Sequence, residues 1–113
     1  MSGVDRSGEG PAPLPHDPQK AYAMEYKHGV NLFQRSLDEY SKADEVHKKA
    51  AFQDVMHRAL QVLNETARGL KREDLLKQNE AIAQDLKAYE DKGDAASKNA
   101  LAKDLNQAKK SIG

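Results

Sequence analysis

Two short patterns in the sequence have the residue types and spacing of a metal clamp. Glu25-Tyr26-Lys27-His28 and Asp54-Val55-Met56-His57 each place a carboxylate three residues ahead of a histidine. On two facing helices of a bundle, such i, i+3 pairs can hold a di-iron or di-manganese centre. The helical phase works against that here. At about 100° per residue, His28 falls about 200° round from Tyr26, opposite the apolar seam of its own helix. His57 is likewise turned away from the side that carries Phe52 and Leu63. The remaining helices offer no evident inward glutamates to complete the ligand set, so both histidines are expected in water and no metal or other cofactor is assigned.

Other chemistry finds less support. Cysteine is absent, which removes disulfides, zinc ribbons, iron–sulfur ligation and thiol nucleophiles together. The serines lie in the N-terminal arm and at helix surfaces or ends, without the strained turn and the histidine and acid partners that activate a hydroxyl. Gly69 and Gly93 are isolated and read as helix stops rather than as a phosphate-binding loop. The chain is therefore expected not to be an enzyme. Asn64-Glu65-Thr66 has the form of a glycosylation acceptor, but it falls inside an expected helix and carries no weight.

Basic residues cluster at Lys48-Lys49, at Arg68 with Lys71-Arg72, and at Lys109-Lys110. Each cluster is interleaved with acids: Asp44 and Glu45, Glu73 and Asp74, and Asp104. The 18 basic and 18 acidic residues cancel. Residues 1–17 hold Arg6 against Asp5, Glu9 and Asp17, leaving 17 basic against 15 acidic side chains in the rest. Nucleic-acid binding draws its affinity from a net basic stripe that neutralises phosphates, so nucleic acid is not the expected partner. Solvated faces laced with i, i+4 pairs such as Asp38–Lys42 and Asp44–Lys48 account for the same residues.

The elements that must position these residues are helical. With 113 residues, 38% apolar and 32% charged, one domain with one modest core is expected, large enough to fold without a staple. The first eighteen residues hold all four prolines and three of the seven glycines. Residues 1–17 therefore read as a disordered arm, containing the polyproline-like run Pro11–Pro15 and a bare PxxP at Pro15–Pro18. Asp17-Pro18 is a helix start, an N-cap followed by proline at the first helical position. Helix one is predicted from Pro18 to about Ser41, with a 4-3-4-3 seam of Tyr26, Val30, Phe33, Leu37 and Tyr40, widened by Tyr22 and Leu32. Gly29 inside it reads as room for a close neighbour.

Ser41 with Asp44 resembles a capping box, which places the restart there, against the alternative of one continuous bent helix through Lys49. Helix two carries a broad apolar face of Phe52, Val55, Met56, Ala59, Val62, Leu63, Thr66 and Leu70. Gly69-Leu70 fits a Schellman ending near Arg68. Helix three opens on Glu73 and Asp74, follows a seam of Leu75, Asn79, Ile82, Leu86 and Tyr89, and ends at Gly93. Asp94 caps a fourth helix with the thinnest seam, Leu101, Leu105, Ala108 and Ile112. No segment has the alternation of a strand.

The fold class is thus all-α: a small antiparallel bundle of three main helices plus a weaker fourth, spanning residues 18–113. No apolar stretch approaches the ~20 residues of a membrane span, and Met1–Gly10 lacks the apolar run of a secretory leader, so a cytoplasmic location is expected. The leading functional reading is a non-enzymatic interaction module, such as an adaptor, chaperone or assembly subunit. It would pair with itself or present a groove to a partner helix through Phe52, Met56, Leu63, Asn79, Leu101 and Leu105, where helix four covers little. Asn79 is the polar residue set in a core seam, either a register device that demands a partner side chain or a waiting site for a ligand helix. The alternatives are a nucleic-acid binder using Lys48, Lys49, Arg68, Lys71 and Arg72, and a carboxylate/histidine metal bundle using His28 and His57.

Overall fold

The structure, a computed structural model, describes residues 17–113. The arm's polyproline run lies outside the described residues, as does the PxxP match apart from Asp17 and Pro18. Four helices follow: α1 Pro18–Lys42, α2 Val46–Leu70, α3 Glu73–Lys92 and α4 Ala95–Ile112. Links of two or three residues force each helix back along its predecessor. α1 lies most closely along α2, and α3 along α4; the two hairpins then close through α2–α3 and α1–α4 contacts, with no backbone approach across either diagonal. The result is the expected antiparallel bundle. Among the described residues, no helix is long and apolar enough to cross a membrane.

Local chemistry sets most of the helix ends. Asp17 accepts a hydrogen bond from the Gln19 N–H at 3.0 Å, ahead of Pro18 in the first turn. Asp94 accepts from the Ser97 hydroxyl and from the Ser97 N–H, the latter at 2.9 Å, and these bonds, the hydroxyl's first, hold its carboxyl below the usual carboxylate range. Gly93 ends α3 in the left-handed conformation, φ 65°.

Two ends differ from the sequence expectation. Ser41 is no cap; it sits in the last turn of α1 and donates its hydroxyl to the Asp38 carbonyl at 2.7 Å. That back-bond satisfies the serine within the helix, so α1 continues to Lys42 and α2 opens only at Val46, after Glu45, whose side chain makes no cap bond. The helices are separate rather than continuous. Gly69 does not terminate α2 either. Lys71 takes the left-handed position at φ 57°, with its N–H on the Arg68 carbonyl and the Arg72 N–H on the Ala67 carbonyl. This is a Schellman ending built on lysine, two residues later than the glycine suggested.

The core takes one stripe from each helix. Tyr26, Val30, Phe33 and Leu37 meet Met56, Ala59, Leu63 and Ala67, and these face Leu75, Ile82, Leu86 and Tyr89 with Leu101, Leu105 and Ala108. Full burial of each large side chain contributes roughly 1.5–3 kcal/mol. α4 is the shortest helix, yet Leu101 and Leu105 are wholly buried.

Candidate functional site

The seam between α1 and α2 begins with a missing side chain. A Cβ placed on Gly29 would stand 3.0 Å from Leu63 Cδ2 and 3.4 Å from Val62 Cγ1. The glycine therefore lets the helices approach until side chains of one rest on the backbone of the other. One turn and more along the same seam, the Tyr22 ring covers Gly69, where an added Cβ would lie 2.6 Å from Cζ. Gly69 is thus a seat for an aromatic ring, which explains why it lies within α2 instead of ending it.

Close approach narrows the buried stripe and leaves its margins outside. Tyr22 is 36% exposed, Leu32 42% and Val62 36%, although the sequence reading placed all three on core faces. Leu32 follows Glu25, His28 and Gly29 at helical spacing on the same side of α1. A shallow hollow of about 370 Å³ opens on this outer seam, lined by Tyr22, Glu25, His28, Gly29, Val62, Glu65 and Thr66. Its floor is apolar and small, and Glu25 and Glu65 give its rim an acidic character.

The partner face read from the sequence is placed differently. Met56, Leu63, Leu101 and Leu105 are fully buried and Asn79 is 1% exposed; only Phe52 is half-buried at the edge. These side chains fill the bundle's own interior, and α4 already occupies the groove. Asn79 is satisfied from both sides: Tyr26 donates its hydroxyl to Asn79 Oδ1 at 2.7 Å, and Asn79 Nδ2 donates to Asn64 Oδ1 at 3.1 Å. The chain of bonds runs from α1 through α3 to α2 and fixes their relative register. Burial, helped by the Asp74 charge, pushes the Tyr26 phenol up to about 12, so it stays a neutral donor. The same bonds occupy Asn64, while Thr66 returns its hydroxyl to the Val62 carbonyl at 2.8 Å.

At the opposite end, Glu90 Oε2 receives His57 Nε2 at 2.7 Å and the Gln53 amide at 2.5 Å, tying α2 to α3. An imidazole and a carboxylate make two parts of a hydrolytic triad, but the next group in reach is an amide and not a hydroxyl nucleophile. Nearby, Tyr40 and Tyr89 meet edge to face at 5.6 Å, and Lys49 Nζ lies 4.4 Å above the Tyr40 ring. His28 faces the outer α1–α2 hollow while His57 leans on α3. Among the described residues no group of three or more histidine, aspartate or glutamate side chains could hold a metal ion.

The basic residues are divided between the two ends. Lys48 and Lys49 open α2, and Arg68 and Lys71 close it about 30 Å away at 1.5 Å per residue. Arg72 is engaged by Asp74, with contacts of 2.9 and 2.7 Å, and by the Ser111 carbonyl at 3.2 Å. These cations form no single stripe.

The exposed seam residues were legible in type but not in role. Gly29 signalled a close neighbour, whereas Gly69, read as a helix stop, lies under the Tyr22 ring instead. No family model, no curated protein and no solved structure matches the chain.

Proposed function

We propose that this chain is a non-enzymatic protein interaction module that receives a partner helix along the outer α1–α2 seam. The observation that carries this reading is the half-exposed pair Tyr22 and Val62 on the hollow beside Gly29, rimmed by Glu25 and Glu65, with the exposed Leu32 one turn beyond His28 on the same side of α1. A partly exposed tyrosine and a branched apolar side chain flanking a glycine-floored hollow suit an inserted apolar side chain. The acidic rim selects its surroundings: an amphipathic helix with lysine or arginine beside the apolar stripe complements the two glutamates. The groove under α4 serves less well, because reaching it requires exposing Leu101 and Leu105.

The test uses a fluorescently labelled model peptide, an amphipathic helix with a leucine stripe flanked by lysines, titrated with the full chain and followed by anisotropy. Saturable binding is expected, with at least a tenfold loss for Val62→Lys and for a glutamate-flanked peptide. Equal binding of the Val62→Lys protein overturns the seam, and equal binding of both peptides overturns the acidic selection.

A further inference from the structure

α4 meets α3 through an apolar stripe interrupted by two acids. Asp104, between the buried Leu101 and Leu105, turns toward α3, where Asp85 lies within hydrogen-bonding reach. Gln78, two turns before Asp85 on α3, donates to the Asp104 backbone carbonyl at 3.3 Å. The Asp104 carboxylate gets no such help: its Oδ2 is buried and has no hydrogen-bond partner. A buried carboxylate oxygen without a donor is costly, and a second carboxylate facing it supplies none while both are ionised. One proton changes that, because a carboxylic acid donates to a carboxylate.

The charged surroundings are few. From α3 the facing charge is Asp85, and on α4 itself Lys103 opposes the effect. α1, the other helix packed on α4, brings Asp38 with Gln34 to a hollow that α4 lines with Lys98, Ala102 and Asn106. That hollow is on the opposite flank, about 200° round α4 from Asp104.

We infer that Asp85 and Asp104 form a proton-operated clasp between α3 and α4, closed when the Asp104 carboxyl, protonated from solvent, donates a hydrogen bond to Asp85, and loosened when Asp104 ionises. Burial and the neighbouring Asp85 raise the Asp104 carboxyl to about 6, which puts the transition just below neutrality. A carboxyl held above its unfolded-state value contributes stability that is fully present below about 4 and is lost as the pH rises through about 6. The clasp therefore tightens α4 in mild acid and slackens it at neutral pH. It stands apart from the α1–α2 seam and does not depend on what binds there.

The experiment is thermal unfolding of the full chain at half-unit steps from pH 4.5 to 8, for the wild type, Asp104→Asn and Asp85→Asn. All three share the histidines and the His57–Glu90 contact, so the difference between curves isolates the pair. Either amide can donate to the remaining carboxylate, so each variant is expected to melt several degrees above wild type near pH 8. The gap should close toward pH 4.5. A variant that tracks the wild-type curve throughout, or both variants melting lower at pH 8, overturns the clasp.

Discussion

The contact within the first hairpin and the contacts between the two hairpins are built differently. α1 and α2 approach through Gly29, Leu63 and Ala59, and among the described residues the side-chain hydrogen bond between them is Lys49 to the Tyr40 carbonyl, beside the link. Between the hairpins, polar groups bridge every junction: Tyr26–Asn79–Asn64 in the core, Gln53 and His57 with Glu90 across α2–α3, and Gln34 with Asn106 across α1–α4. Dispersion and close fit reward proximity without naming a partner atom. Hydrogen bonds add little net energy but punish a wrong register heavily. The first hairpin thus supplies strength, and the junctions supply the particular way in which the second hairpin docks.

The sharpest break of that comparison is Leu63→Ala. It empties the position that rests on Gly29, and a loss of about 2–5 kcal/mol is expected, measured by urea unfolding with an unchanged slope. A much smaller loss would mean that the α1–α2 contact is not where the strength lies.

Tyr26→Phe probes the junction instead. It keeps the ring but leaves Asn79 Oδ1 buried without its donor, and about 1–3 kcal/mol should be lost near neutral pH. The variant also removes an alkaline liability. With the folded phenol near 12 against 10.0 unfolded, Tyr26 supports folding below pH 10 and its contribution falls as the pH rises from there through about 12. The difference between wild type and variant should therefore shrink between pH 8 and 11.

The smallest effects concern the links. Lys71→Gly should stabilise by up to about 1 kcal/mol, because the left-handed conformation at φ 57° costs a side chain that glycine lacks. Gly93→Ala should destabilise by a similar amount, about 1 kcal/mol, though nothing lies within 4 Å of the added methyl. Differential calorimetry on the pair would show opposite shifts.

Much of this architecture was written in periodicity. The seams through Tyr26, Phe33 and Leu37 and through Asn79, Ile82 and Leu86 lie buried as their spacing requires, and Asp17, Asp94 and Gly93 sit where their chemistry is needed. What escaped the sequence was anything that depends on distance between helices. Gly69 could be a stop or a seat, and only the position of the Tyr22 ring decides. Ser41 could cap forward or bond backward, and both choices read alike. The apolar width of α2 was overestimated because periodicity gives the direction of Val62 but not how near α1 comes. The Asp85–Asp104 meeting, on different helices, left no trace in local pattern.

The chain of bonds from Tyr26 through Asn79 to Asn64 bears on how the sequence can change over time. Losing the Tyr26 hydroxyl alone strands Asn79, and replacing Asn79 with leucine alone strands that hydroxyl in the core. Replacing all three with well-packed apolar residues would leave nothing unsatisfied. Each single step is therefore worse than either end point, so the three positions behave as one heritable unit, held together by the valley between two acceptable interiors.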